Sequence, residues 1–254
     1  MKLWLPAIAL LAAAAAWLGA AELAEPARVV TVVLVALLPA LLLVQARVSA
    51  GQLGDDASVL PVYFSSMVLI WAIGALSLWA GWASGITPAT MGLIVPDAVA
   101  AIAWIGVIVL AALGIALLGR RLGWRESPML EWLLPVSGRE RAVFVLLSIS
   151  AGVGEEMAYR GFLIPALTEA SGSRALAVVV SSLAFGMMHS YQQTTGALRA
   201  TVLGALLAVP LLTTGSVVPS MAAHALFDVV AGLLLADWLA PGRASRSGRT
   251  PRKH

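Results

Sequence analysis

Two adjacent glutamates and an arginine stand out in "VGEEMAYRGFL", residues 153–163, a stretch otherwise apolar enough to lie in lipid. Glu156 and Arg160 are four apart, so on a helix they share a face and can pair. Glu155 is rotated about 100° away and is left without that partner. Two later stretches carry further chemistry: Phe185-Gly-Met-Met-His189 and His224-Ala-Leu-Phe-Asp228. His224 and Asp228 are again four apart on one face. Charged side chains inside a bilayer are rare, and they face a bundle interior or a water-filled cavity. Each stretch alone has a bland reading: a structural ion pair beside a protonated glutamate, or a histidine near a helix end. The chain has only three histidines, however, and His254 lies in the tail. The other two fall in apolar stretches that follow the glutamates, which joins the three stretches into one candidate site.

Glu, His, His and Asp together suit hydrolysis. A carboxylate in a poorly solvated pocket is a stronger base than in water and can take a proton from a water molecule. Histidine can orient that water, bind a metal, or donate to a developing oxyanion. Two histidines with a carboxylate could equally hold a divalent ion such as zinc with one position open. The residue types leave both routes open. Other intramembrane hydrolase patterns are missing: there is no H-E-x-x-H, no G-x-S-G, and "GQLGD" at 51–55 is not G-x-G-D.

The elements that must position these groups are membrane helices. The chain is 60% hydrophobic and 11% charged, against about 25% charged in an ordinary soluble domain. This composition predicts an all-α polytopic membrane bundle. A span needs about 20 mostly apolar residues, and eight candidates appear: 3–20, 28–48, 60–83, 97–118, 141–168, 174–190, 197–213 and 217–239. The first could also be read as a cleaved signal peptide ending at Ala21, but the further spans favour a retained helix. Four regions follow: N-terminal spans 1–118, a basic interfacial segment 119–140, a core 141–239 that holds the polar clusters, and a basic tail 240–254. Breaks between spans carry turn or charge signals such as "GQLGDD", "SGITPAT", "EASGS" and "YQQTTG".

Eight spans place Lys2, Arg47, the cluster Arg120/Arg121/Arg125/Arg139/Arg141, Arg199 and the tail on one side, with Arg28 and Arg174 opposite. By the positive-inside rule both termini are then cytoplasmic. Basic residues so placed set orientation and give no sign of a nucleic-acid partner. The segment 119–140, with Trp124 and the stretch "MLEWLLPV" that contains Trp132, suits the interface, where tryptophan concentrates. The tail has five basic residues and nothing apolar to bury, so it reads as disordered and suited to anionic lipid. There is no cysteine, which excludes disulfides and thiol chemistry. Helix rise places Glu155 about 9 Å and His224 about 10 Å from one membrane face, but His189 about 22 Å. The side on which the site opens is left undetermined.

The ordered set E-E-x-x-x-R, F-x-x-x-H and H-x-x-x-N/D on successive helices resembles the CPBP intramembrane proteases. These include the type II CAAX prenyl endopeptidases and the lysostaphin-resistance protein A-like proteins. The likeness covers about residues 141–239. It implies Glu155 as the water-activating base, supported by Glu156 and Arg160. It implies His189 as the water-orienting or metal-binding partner, and His224 with Asp228 in the oxyanion pocket, shaped by Phe185. Asp228 stands where many members have Asn, and a carboxylate cannot donate unless protonated. That favours a metal-binding or His-orienting role for Asp228. Under a metal-assisted route, Glu155, His189, His224 and Asp228 are the candidate ligands. The expected function is an intramembrane endopeptidase acting on a membrane-associated protein or peptide. Two other classes compete with it: an ion-coupled transporter using the glutamates as relays, though no inverted repeat is visible, and a catalytically silent immunity or interaction scaffold. The Ala/Arg/Gly/Trp-rich usage points to a bacterial inner membrane.

Overall fold

The structure, a computed structural model, describes residues 4–49 and 58–239. The "GQLGDD" break, Lys2 and the basic tail lie outside the described residues. The chain is all-helical there, and it is a polytopic bundle. Helix α1 is Trp4–Gly19. Helix α2 runs through Glu25–Val32, a wide π turn Val33–Leu37, and Leu38–Ser49. Helix α3 is Leu60–Ala83 and α4 is Ala98–Arg121. The short α5 is Pro128–Leu133. The long α6 runs through Gly138–Glu156, the π turn Met157–Leu163, and Ile164–Ser171. Helix α7 is Arg174–Met188. A 3-10 turn, Ser190–Gln192, leads into α8, Gln193–Thr214. Helix α9 is Val218–Val229, extended by the π turn Val230–Leu234, and α10 is Ala236–Leu239.

Each of the eight expected spans is helical, but not all are full length. Five helices are long and apolar enough to cross a membrane: 25–43, 60–83, 98–121, 138–171 and 190–214. The stretches 174–188 and 218–234 are shorter apolar helices, and α1 has 16 residues. At about 1.5 Å per residue, the 15-residue α7 is about 22 Å long, shorter than a hydrocarbon core of about 30 Å. The expected span 174–190 therefore stops at Met188 and puts His189 at a helix end. The expected span 217–239 breaks at Leu235.

Local sequence explains the boundaries. Ser137 and Glu140 form a reciprocal capping box at the start of α6. Ser127, Ser173 and Asp97 cap α5, α7 and α4 through their side-chain oxygens. Two of the three π turns stand just upstream of a proline, at Leu38-Pro39 and Ile164-Pro165. Proline lacks an N–H and its ring crowds the preceding turn, so a wider turn relieves the clash.

Helix α6 is the hub. It packs on α3 and on α9, and α9 packs on α4; α7 lies against α8 and the end of α6. Two glycines just before the glutamates make those crossings close. A Cβ on Gly152 would stand 2.6 Å from the Met221 carbonyl oxygen of α9, and one on Gly154 would stand 2.8 Å from that of Ile70 in α3. The π turn beyond is the centre of the apolar core: Ala158, Tyr159, Phe162 and Leu163 are wholly buried among Ile73, Met91, Phe185 and Leu34.

Candidate active site

Glu156 is the last residue before the π turn, and Arg160 lies within it. Both are fully buried, and Arg160 Nη1 donates to Glu156 Oε1 at 2.8 Å. The expected pair therefore forms. Arg160 is held on two further sides: Nε donates to the Gly204 carbonyl at 3.3 Å, and its Cζ sits 4.2 Å from the Phe185 ring centroid. Gly204 has no side chain to crowd the guanidinium, since a Cβ there would stand 3.0 Å from Nη2. The π turn's Tyr159 carbonyl accepts from Ser181 Oγ at 2.7 Å. This accounts for a backbone acceptor in a segment where water is scarce.

His224 joins the same carboxylate. Its Nδ1 lies 2.9 Å from Glu156 Oε1, and a carboxylate accepts, so Nδ1 carries the proton. Nε2 then faces the opposite way, 3.9 Å from Glu155 Oε2 and 3.7 Å from Asp228 Oδ2. Glu155 Oε2 is buried and makes no hydrogen bond with the described residues. The two glutamates thus divide as their spacing predicts. Glu156 is held through Oε1 by Arg160 and His224, while Glu155 Oε2 is left without a hydrogen bond, 3.9 Å from His224 Nε2.

His189 reaches this group through Phe185. The Phe185 ring centroid is 4.7 Å from that of His189 and 5.9 Å from that of His224. His189 Nδ1 lies 2.9 Å from the Phe185 carbonyl. A carbonyl only accepts, so Nδ1 donates and Nε2 keeps its lone pair. This arrangement also accounts for the mismatch in depth. The site is a column in which Phe185 spans the gap between His224 and His189, one helical turn further along α7.

One cavity of about 1280 Å³ connects them, with Glu155, Phe185, His189, His224 and Asp228 on its wall. Glu156 and Arg160 stand behind that wall. The cavity extends to α5 and to the turn after His189. Three polar ties close that end of the bundle: Tyr63 Oη donates to the Leu133 carbonyl, Ser127 Oγ to the Tyr191 carbonyl, and Arg199 pairs with Glu126 through both oxygens. This is the end that carries Arg120, Arg121, Arg125, Arg139 and Arg141. The sequence left the open side undetermined; the cavity reaches the basic end.

A catalytic zinc needs about three protein donors around one point. Both histidines keep Nε2 uncommitted while Nδ1 is held by a partner, as metal-bound histidines do. Among the described residues, however, no three His, Asp or Glu side chains gather as a metal site. Glu155, His189, His224 and Asp228 share a cavity without converging. As placed they do not fit a divalent ion, and the chemistry below uses the chain's own groups.

The motif reading missed Gly204 and Ser181, which act through backbone or hydroxyl contacts and carry no chemical signature. It also missed Tyr191, two residues past His189 in what read as a loop.

Residues 138–230, from the start of α6 to the end of α9, match the family described as type II CAAX prenyl endopeptidase Rce1-like. That stretch, 93 of the chain's 254 residues, is thus similar to the CPBP-type intramembrane proteases, and the chain is an integral membrane protein. Comparison with curated proteins and with solved structures gave no match.

Proposed function

We propose that this chain hydrolyses a peptide bond of a membrane-associated protein or peptide with a water molecule activated by Glu155. The observation that carries the reading is the division of labour between adjacent glutamates. Oε1 of Glu156 is held by Arg160 and His224 at 2.8 and 2.9 Å behind the wall, while Glu155 lines the cavity with an Oε2 that makes no hydrogen bond to the described residues. A base must reach the proton that it abstracts, and geometry comes before basicity in naming it.

In this reading Glu155 takes a proton from water, and His189 Nε2 accepts from the same water and orients it. The hydroxide oxygen attacks the scissile carbonyl carbon, and the carbonyl electrons move to its oxygen. The C–N bond then breaks, and Glu155 passes its proton to the leaving nitrogen. His224 donates through Nδ1 to Glu156, and when its second nitrogen is also protonated Nε2 faces the Glu155 and Asp228 carboxylates at 3.9 and 3.7 Å. Phe185 and the apolar cavity wall limit competing water. The chain works in the inner membrane of a bacterium, with its basic end in the cytoplasm, so substrate reaches the cavity from that side.

The test uses purified chain in detergent with lipid-anchored reporter peptides. Glu155→Gln and His189→Ala are expected to lose at least about 100-fold in kcat while keeping the wild-type thermal midpoint. Wild-type cleavage by both variants would refute the reading.

A further inference from the structure

The ion pair behind the cavity wall leans on a residue that has no side chain. Gly204 is buried within α8 and is not on the cavity wall. A carbonyl oxygen has two lone pairs, so that of Gly204 can serve its own helix and still accept from Arg160 Nε at 3.3 Å. A Cβ added at Gly204 would meet Arg160 Nη2 at 3.0 Å, and Ser182 Cα and Cβ of α7 at 3.3 Å. Neither neighbour has room to give. The guanidinium is fully buried, with Nη1 on Glu156 Oε1 and Cζ 4.2 Å from the Phe185 ring centroid. One turn along, α8 is already seated on α7: a Cβ on Gly186 would stand 1.9 Å from Thr201 Oγ1 and 2.7 Å from the Ala197 carbonyl oxygen.

A displaced guanidinium acts on more than its own pair. Glu156 Oε1 accepts from Arg160 Nη1 at 2.8 Å and from His224 Nδ1 at 2.9 Å, so both partners depend on where that one oxygen lies. His224 in turn holds Nε2 at 3.9 Å from Glu155 Oε2 and 3.7 Å from Asp228 Oδ2. The contacts run from Gly204 of α8, through Arg160 and Glu156 of α6, to His224 of α9 on the cavity wall.

We infer that Gly204 is a positioning residue for this site. Its bare backbone seats the Arg160 guanidinium, and thereby holds Glu156 and the His224 ring in register with Glu155 and Asp228. The consequence for cleavage rests on the reading of this cavity as an endopeptidase site.

The experiment is a double-mutant cycle of Gly204→Ala with Arg160→Lys in detergent. Lysine keeps the charge but has no Nη2 for the new methyl group to meet. Two readouts are taken on all four chains: the ring NMR signals of His224, and kcat and KM on one lipid-anchored reporter peptide that the wild-type chain cuts. The chain has three histidines, so single His→Gln variants assign the signals. With Arg160 in place, Gly204→Ala is expected to shift the His224 signals and to lower kcat about 10–100-fold with KM within about twofold. With Arg160→Lys, the same methyl group should leave His224 unmoved and cost less than about threefold further, a coupling that packing alone does not give. Unmoved His224 signals, or equal effects in both backgrounds, make Gly204 a packing residue and overturn the inference. If Gly204→Ala alone does not fold, recovery of folded protein in the double variant shows the same coupling, and failure to recover overturns the inference. If Glu155→Gln is inactive but Gly204→Ala cuts within about twofold of wild type, the inference fails and the endopeptidase reading stands. Wild-type cleavage by Glu155→Gln sinks that reading alone, because the His224 signals report the positioning without any cleavage.

Discussion

Oε1 of Glu156 serves two partners at once, Arg160 at 2.8 Å and His224 at 2.9 Å, with the ion pair fully shielded from solvent. Removing one member of a buried pair strands the other charge, which costs about 3–5 kcal/mol. Glu156→Gln should therefore act on the fold: a clear drop in thermal midpoint in detergent, with activity falling in proportion to folded protein. Glu155→Gln should do the reverse, keeping the midpoint and losing cleavage, because Glu155 Oε2 has no hydrogen bond to the described residues to lose. Midpoint and kcat measured on both variants separate the two roles, and equal effects would sink the distinction. Because the donors do not converge on one point, cleavage should persist after exhaustive chelation. Activity that is lost to a chelator and restored by zinc would put a metal into the reaction. At this scale the i,i+4 pair was legible in the sequence. That both glutamates would stand near His224 was not, since nothing in residues 153–163 states where residue 224 lies.

Two small residues fix the central helix crossings. Gly152 meets the backbone of α9 and Gly154 that of α3, both just before Glu155-Glu156 in the sequence. In lipid, helix association relies on close packing and small residues rather than on a hydrophobic driving force. Gly152→Val should force α6 and α9 apart, at a cost of at least about 1–3 kcal/mol. The expected result is a lower midpoint and lost cleavage together, because His224 and Asp228 ride on α9. Wild-type values for both would show that the crossing tolerates a side chain. Helix identity was readable from apolar length alone. The ends were not: α7 stops short at Met188, and α9 breaks at Leu235. Hydropathy does not register where a helix gives way to a turn that lines a cavity, where irregular backbone is tolerated.

For the molecule as a whole, the cavity and the basic cluster share one end. Absence of cysteine gives a clean test of orientation, because a single introduced thiol is the only one to label. Arg125 and Thr87 are both exposed and lie beyond opposite ends of α4. In intact bacterial cells a membrane-impermeant maleimide should label Thr87→Cys and spare Arg125→Cys until the membrane is opened. The opposite pattern would reverse the orientation, and with it the side from which substrate enters.

The sequence by itself determined the class of the molecule, since apolar length and sparse charge admit little besides a helical membrane bundle. It also determined the chemical inventory and the Glu156–Arg160 pair, because helix periodicity acts over four residues. The tertiary structure decided what periodicity cannot reach. It joined His224 to Glu156 across 68 residues, bridged the depth of His189 through Phe185, and brought Tyr191 from a loop into the cavity. Contacts of that range depend on how α6, α7 and α9 cross. The α6–α9 crossing rests on a glycine contact, and α6 carries a π turn before Pro165; neither leaves a hydrophobic period to read.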